Sequence, residues 1–220
     1  MTRTAAIVLL LLSGAAPHGA RAAPGRDLDV AVGAARGDRT AALALVQHHA
    51  AGRRLQFGYG LRLSAFRAGD DAAYTTAPHD LVRAGRIVTL TADGARTTAL
   101  NVLLAVRVAL FRGWTAGANV DVAGAGFGPC TGGRIGSVPV HACPARWNML
   151  RGDTRDHGQL DSEFYVGVAV ARGWRLRAGY SHFFSELTSD VSVDGNDRFR
   201  RKGNLIFVSL ARTSSIGPVI

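Results

Sequence analysis

Residues 160–185 read LDSEFYVGVAVARGWRLRAGYSHFFS, and this stretch decides the fold that the sequence predicts. Apolar side chains occupy every second position on both sides of Arg172-Gly173, which is the period of a β-strand with two different faces. Two such runs that are joined by a short glycine-containing link form a β-hairpin. The sequence therefore predicts an antiparallel hairpin, whose second strand opens with Trp174.

The same turn occurs a second time, as Arg112-Gly113-Trp114 between two further alternating runs. A tryptophan at the start of the next strand in both hairpins predicts a ring of aromatic side chains at one level. Such a ring is typical of a transmembrane β-barrel at the membrane–water boundary. The predicted membrane-interface aromatics are Trp114 and Trp174 at these turns, together with Tyr180 and Phe184, of which Phe184 is expected near the outer rim.

Working outward from these hairpins, the pattern predicts eight strands, at about 28–34, 41–50, 54–66, 97–110, 114–127, 160–170, 174–185 and 204–212. Residues 40–51 could instead form a short helix, since Ala and Leu favour one. After the first link, short connections (51–53, 111–113, 171–173) alternate with long ones (67–96, 128–159, 186–203). Successive connections of an up-and-down barrel lie at opposite ends, so this alternation puts tight turns on one rim and long external loops on the other.

The two faces of the predicted strands differ in the way that a membrane barrel requires. One face is aliphatic and aromatic, as in Val102, Val106 and Val166. The other carries small residues and a few charges, whereas a water-facing surface would carry many Lys, Glu and Asp. We therefore predict an all-β fold, an eight-stranded antiparallel up-and-down transmembrane β-barrel. Its predicted lumen polar network comprises Arg62, Asn101, Arg107, Asn119, Asp121, Glu163, Arg175 and Arg177.

Charges inside a barrel of this size allow two interpretations. Buried charges are costly unless they are paired, which predicts a salt-bridged plug of side chains. The alternative is a narrow pore that favours anions, because four arginines outnumber Asp121 and Glu163 on this face.

The N-terminus predicts export. Arg3 precedes the apolar run 5–12, and Ala20-Arg21-Ala22 fits a cleavage site, so 1–22 is predicted to be a signal peptide and 23–220 the barrel domain. The formal net charge of +10 would fall to +8 without Arg3 and Arg21. Export argues against nucleic acid as a partner, and outer-membrane lipid and lipopolysaccharide fit the positive charge better.

Cys130 and Cys143 are the two cysteines of the chain. In an oxidising, exported setting a pair this close predicts a disulfide. Only His141 lies near enough to add a ligand, so a metal site is not expected. Ser181, His182 and Glu186 have the residue types of a hydrolase site, but strand parity puts Ser181 and His182 on opposite faces. No catalytic residue, cofactor or metal is predicted.

The segments LDSEFY (160–165), WRLRAGY (174–180) and NDRFR (196–200) resemble the small outer-membrane β-barrel proteins of Gram-negative bacteria, which carry a generic outer-membrane β-barrel domain of the OmpA type. The likeness extends more loosely over 100–128 and 28–63. It implies an eight-stranded barrel in the outer membrane and no cofactor. One departure is that such barrels typically end in an aromatic residue, whereas this chain ends in Ile220.

These observations predict a monomeric scaffold without enzymatic activity. It would display external loops to an extracellular protein or surface ligand, and the disulfide-closed connection 128–159 would hold the contact. Two alternatives remain open: a small anion-preferring pore, and a soluble periplasmic ligand-binding barrel.

Overall fold

A computed structural model describes residues 25–152 and 155–215 of the chain, so the predicted signal peptide lies outside the described residues. The described residues form thirteen antiparallel strands in one sheet. The strands are β1 (Gly25–Ala35), β2 (Asp38–Ala50), β3 (Leu55–Arg67), β4 (Ala72–Thr76), β5 (Thr89–Ala92), β6 (Arg96–Ala109), β7 (Trp114–Phe127), β8 (Thr131–Ile135), β9 (Val138–Pro144), β10 (Trp147–Met149), β11 (Leu160–Ala171), β12 (Trp174–Val193) and β13 (Asn196–Ser215). A short helix, α1 (His79–Arg83), follows β4.

The predicted all-β, antiparallel fold is confirmed, but the predicted count of eight strands is not supported. That count omits β4, β5, β8, β9 and β10, which lie inside the predicted loops 67–96 and 128–159. The predicted loop 186–203 is wrong, because β12 and β13 continue through it and join at Asp194-Gly195. Both turn residues have positive φ, 53° and 76°, as a two-residue hairpin turn of type I′ requires. Residues 41–50 belong to strand β2 and not to a helix.

The long strands close into a ring, which we call the lower ring. Around it, each strand pairs with the next in the order β1, β2, β3, β6, β7, β11, β12, β13, and β13 pairs back to β1. The turns around residues 52, 112 and 172 lie at one end, which we call the short-turn end. Closure leaves no strand edge unpaired in this ring, so its backbone polar groups are satisfied without water.

A second, smaller ring continues from the opposite end, and we call it the upper ring. The far halves of β12 and β13 extend beyond the lower ring and remain paired with each other. From β13 the pairing runs through β4, β5, β8 and β9 and returns to β12. The disulfide Cys130–Cys143 joins the residue before β8 to β9.

The two rings are inverted in polarity. The upper ring encloses an apolar core that includes Tyr74, Leu90, Leu187 and Phe199, while Thr75, Arg134 and His141 face outward. The lower ring has its aliphatic side chains outside and its polar side chains inside. Twelve of its outward apolar residues are between 43 and 74% exposed, namely Leu28, Val30, Val32, Leu61, Val102, Leu104, Phe164, Val166, Leu176, Ile206, Val208 and Leu210.

Within the described ranges, no helix has the length and apolar character needed to cross a membrane.

Candidate functional site: a charge-paired interior and an outer cleft

The upper half of the lower-ring interior is organised around Arg62, whose side chain is 1% exposed. Its Nη2 donates to Glu163 Oε2 at 2.6 Å, and its Nη1 lies 3.2 Å from Asp121 Oδ1 and 3.7 Å from Asp161 Oδ2. Strand parity brings these residues together, because β3, β7 and β11 each direct alternate side chains inward. One arginine is therefore the shared ion-pair partner of three carboxyl groups. Asn119 Nδ2 adds a hydrogen bond to Glu163 at 2.8 Å.

Side-chain amides close the top of this cluster. Asn101 Nδ2 donates to Asp121 Oδ2 at 2.8 Å and to the Gln159 carbonyl at 3.0 Å. Asn148, from β10, donates to Asn101 Oδ1 at 2.7 Å. Gln159 Nε2 reaches across to Ser64 Oγ at 3.1 Å. Asn148 and Gln159 are thus hydrogen-bonded to inward side chains at the mouth of the lower ring.

A second cluster occupies the short-turn half of the interior. The Asp27 carboxylate accepts a hydrogen bond from Arg107 and lies 3.4 Å from His48 Nε2 and 3.9 Å from Arg175 Nη1. Arg107 Nε also donates to Gln56 Oε1 at 2.7 Å. All but Arg175 are buried, and Arg175 is half-buried near the short-turn end.

Arg177 links this half to the wall of the ring. It forms an ion pair with Asp29, and its Nε donates to Ser209 Oγ at 2.9 Å. Its guanidinium carbon lies 4.4 Å from the centre of the Tyr165 ring, within the range of a cation–π contact. A guanidinium held on three sides in this way cannot swing aside without breaking each contact.

The interior therefore holds more acid than the sequence analysis counted. Five carboxylates (Asp27, Asp29, Asp121, Asp161, Glu163) face four arginines (Arg62, Arg107, Arg175, Arg177) among the described residues of the lower ring. The expectation that arginines outnumber acids four to two is wrong. Each of these charged side chains has a partner of opposite sign within 4 Å. Such pairing offsets the cost of burying the charges.

The structure places the predicted residues as follows. Seven of the eight residues predicted for the lumen network are buried inside the lower ring, and Arg175 is half-buried there. The seven are Arg62, Asn101, Arg107, Asn119, Asp121, Glu163 and Arg177. Trp114, Trp174 and Tyr180 are exposed on its outer surface. Phe184 is an error in the predicted interface set, because it is only 5% exposed and the Arg200 guanidinium covers its ring at 4.6 Å.

Ser181 and His182 lie on opposite faces of β12. Ser181 Oγ donates to Asp161 inside the ring, whereas His182 Nδ1 contacts Asn204 Oδ1 at 2.7 Å on the outer surface. The two side chains cannot act together as nucleophile and base, since that chemistry needs them within hydrogen-bond reach of each other.

A further cluster lies on the outer side of β12 and β13, where the upper ring begins. The buried Glu186 carboxylate accepts two hydrogen bonds from Arg198, at 2.8 and 3.1 Å, and one from Arg200 at 3.0 Å. His157 Nε2 lies 3.4 Å from Glu186 Oε1. Burial lowers the pKa of His157 below its ordinary value, although the neighbouring Glu186 acts in the opposite direction.

A cleft of about 550 Å³ opens beside this cluster. Trp147 forms one wall, stacked on His157 with the ring centres 3.7 Å apart, and is 43% exposed. Asp190, Arg198 and Cys143 of the disulfide also line the cleft. The cleft combines an aromatic face with both signs of charge on an ordered framework.

Five inward residues are not in the set predicted from the sequence: Asp27, Asp29, Asp161, Asn148 and Gln159. A local signal existed for Asp29, which alternates with Leu28 and Val30 and so has inward parity. None existed for Asn148 and Gln159, because they lie in a connection without regular alternation. Their inward position depends on how that connection folds back over the mouth of the ring.

No protein-family model matches this chain, and no curated protein is significantly similar to it. Among solved structures, the outer membrane protein Ail of Yersinia pestis, determined in a phospholipid bilayer nanodisc, is 8% identical. That match covers 87% of this chain and 99% of Ail, with a TM-score of 0.41. The toluene transporter TodX of Pseudomonas putida is 9% identical over 94% of this chain and 93% of its own, with a TM-score of 0.21. Both likenesses are too distant to bear on function.

Proposed function

We propose that this chain is a β-barrel of the bacterial outer membrane, exported by its N-terminal segment, which presents the upper ring outside the cell as an interaction surface. The observation that carries the proposal is the inversion between the two rings. A surface of exposed leucine, valine, isoleucine and phenylalanine around a closed ring is stable in hydrocarbon and unfavourable in water.

The length of the strands fits this arrangement. A strand crosses the bilayer core in about 9 to 11 residues when it is tilted. On β12 the outward residues run from Trp174 at the short-turn end to His182. Both of these residues have amphipathic side chains, which suit the membrane–water boundary. The rest of β12 then belongs to the upper ring, which has the apolar interior of a water-exposed domain.

The interior of the lower ring supports a scaffold better than a pore. The network around Arg62 and the network around Asp27 together fill both halves of the lumen with paired charges. A barrel of this size has an interior just wide enough for side chains. Since five carboxyl groups outnumber four arginines there, the proposed barrel offers no excess positive charge to an anion.

The outer cleft beside Trp147 is the surface through which we propose that the scaffold binds a polar partner outside the cell. An exposed aromatic side chain that is held by stacking loses little conformational entropy on binding. The disulfide whose Cys143 lines the cleft stabilises the same framework.

Site-directed spin labelling tests the membrane part of the proposal. The described residues include no free cysteine, so single cysteines at Val102, Val106 and Val166 can be labelled specifically while the disulfide stays oxidised. In reconstituted vesicles we expect these labels to be accessible to oxygen and protected from a water-soluble nickel complex. A label at Arg134 in the upper ring is the matched control and should show the reverse.

Labels at Val102 and Val166 that are as wetted as the label at Arg134 would exclude the membrane barrel and favour a soluble one. Planar-bilayer recording tests the closed lumen separately. We expect no stable single-channel steps, and steps with anion selectivity would contradict the scaffold.

A further inference from the structure

At the short-turn end of the lower ring, which we call the rim, the charged side chains on the outer surface are all arginines among the described residues. Arg53 and Arg54 follow β2, Arg112 follows β6 and Arg172 follows β11. Arg26 lies near the start of β1, and Arg212 lies near the end of β13. Arg54 is half-buried and the other five are exposed. None of these six forms an ion pair with a described residue.

Acidic side chains near this rim point away from it. Asp27 and Asp29 are buried inside the ring and are held there by Arg107 and Arg177. The exposed aspartates of the described residues, such as Asp71, Asp93 and Asp194, belong to the upper ring and its connections. The charge of the outer surface therefore differs between the two ends of the barrel, and the rim arginines have no ion-pair partner among the described residues.

Three of the rim arginines lie close together on adjoining strands. Arg212 pairs with Leu28 of β1 and with Trp174 of β12, and Arg26 pairs with Ser214 two residues further along β13. The Thr213 amide donates to the carbonyl of Gly173, the residue after Arg172, at 2.7 Å. The Arg212 guanidinium carbon lies 5.7 Å from the Trp174 ring centre, so its position is fixed by an interface aromatic.

An apolar groove of about 590 Å³ lies on the outer wall, and Arg212 is the rim arginine that lines it. Leu28, Leu176 and Leu210 form its sides, and Trp174 and Arg212 stand at its short-turn end. A groove that is aliphatic along its length and cationic at one end matches an acyl chain with an anionic headgroup. Arginine suits this headgroup because its planar guanidinium binds phosphate oxygens in pairs.

We propose that this rim binds anionic phospholipid of the leaflet that faces the short turns, with the headgroup phosphate on Arg26, Arg172 and Arg212 and one acyl chain in the groove. The inference rests on the proposed membrane location and adds the lipid class that the barrel selects. A basic side chain near a lipid surface contributes about 1 kcal/mol toward anionic lipid, which is a factor of about five in affinity.

Quenching of Trp174 by brominated lipid tests this proposal. The chain has three tryptophans, so W114F with W147F leaves Trp174 as the reporter. The protein is reconstituted in bilayers that contain an equal small fraction of either phosphatidylglycerol or phosphatidylcholine, brominated close to the glycerol end of the acyl chain. We expect a relative association constant at least about fivefold in favour of phosphatidylglycerol.

Replacing Arg26, Arg172 and Arg212 by Gln should bring this ratio close to one. The matched control replaces Arg146, Arg151 and Arg155, three exposed arginines toward the upper end, and should leave the ratio unchanged. Because the ratio is taken within each variant, a change in the intrinsic fluorescence of Trp174 cancels. If the triple variant does not fold, R172Q alone leaves the Arg212–Trp174 contact in place and should lower the ratio partially.

Equal quenching by the two lipids in the parent protein would overturn the lipid inference while leaving the membrane barrel intact. Absence of quenching by either lipid would instead contradict the proposed membrane location itself. Loss of the preference on addition of inorganic phosphate at constant ionic strength would show a site for free phosphate, which would also overturn the lipid inference.

Discussion

The lower and upper rings share strands β12 and β13, and yet their apolar faces are on opposite sides. The apolar side chains lie outside the lower ring and inside the upper ring. Along β12, Leu176 points outward and is exposed, whereas Leu187 points inward and is buried at 1% exposure. The interior of the lower ring contains charged residues such as Arg62 and Glu163, whereas the interior of the upper ring contains the large, mainly apolar side chains Tyr74 and Phe199. Strand pairing is continuous through both. The difference shows that the backbone specifies a ring and that the side-chain pattern specifies which solvent surrounds it.

The largest expected effect comes from breaking the charge balance of the lower ring. In R62M, the carboxylates of Asp121, Asp161 and Glu163 lose their arginine while remaining buried. We expect the free energy of unfolding to fall by about 3–5 kcal/mol, the usual cost of leaving a buried charge without its partner. Urea unfolding in lipid vesicles, followed by tryptophan fluorescence, measures this change.

The control for R62M is R134M, which removes an exposed arginine from the upper ring and should change stability little. Adding D121N and E163Q to R62M should recover part of the loss, because fewer buried charges then lack a partner. Equal effects of R62M and R134M would show that the interior charges are hydrated and unpaired.

The next largest effect is expected from a change in the apolar core of the upper ring. L187A leaves a cavity in the upper-ring core, and we expect a cost of about 2–5 kcal/mol that is confined to that ring. Hydrogen exchange should speed up in β4, β5, β8 and β9 while β1 and β2 stay protected. L210A, the same change on the outer face of the lower ring, should leave exchange in the upper ring unchanged.

Removal of the disulfide tests how independent the upper ring is. Cys130 and Cys143 are separated by 13 residues in sequence, and closing a loop of that size stabilises a fold by about 3 kcal/mol in the chain-entropy model. C130S with C143S should therefore loosen β8 and β9 in hydrogen exchange without changing the heat-modifiable migration of the barrel on a gel. Loss of that migration would show that the two rings fold as one unit.

The smallest effect is a pH dependence at the outer cleft. Burial lowers the pKa of His157 in the folded protein below the unfolded value of 6.5. Between these two pKa values the unfolded state binds more protons than the folded state. The contribution of neutral His157 to stability is thus fully present above pH 6.5 and decreases as the pH falls toward the folded pKa. Hydrogen exchange of β10 between pH 7 and 5 should show this loosening.

In H157Q this part of the pH response should disappear, because glutamine does not titrate. A response of the same size in H157Q would assign the pH dependence to another group.

The polarity of the lower ring followed from the sequence because it is a local property. Alternation with a period of two decides which of Val166 and Tyr165 faces outward, whatever the strand pairs with. For the same reason Arg62, Asn101 and Asp121 could be assigned to the interior from parity alone. The Cys130–Cys143 pair was also predictable, since both residues lie in one short segment.

The upper ring could not be predicted in this way, because its strands are short and their partners are far away in sequence. Leu90 pairs with Ile135 and Leu187 with Pro144, and neither segment signals its partner locally. The interior charge balance was misjudged for a related reason, since Asp27 and Asp161 matter only once closure of the ring brings them to Arg107 and Arg62.

The sequence by itself determined an antiparallel barrel with one aliphatic and one polar face, because side-chain parity is written residue by residue. Only the tertiary structure decided that the long connections form a second ring with an apolar core, and that the first ring is filled by paired charges. Those outcomes depend on contacts between segments more than 40 residues apart, as in Leu90–Ile135 and Arg62–Glu163. Loop closure must first bring such segments together, and no local pattern records that they will meet.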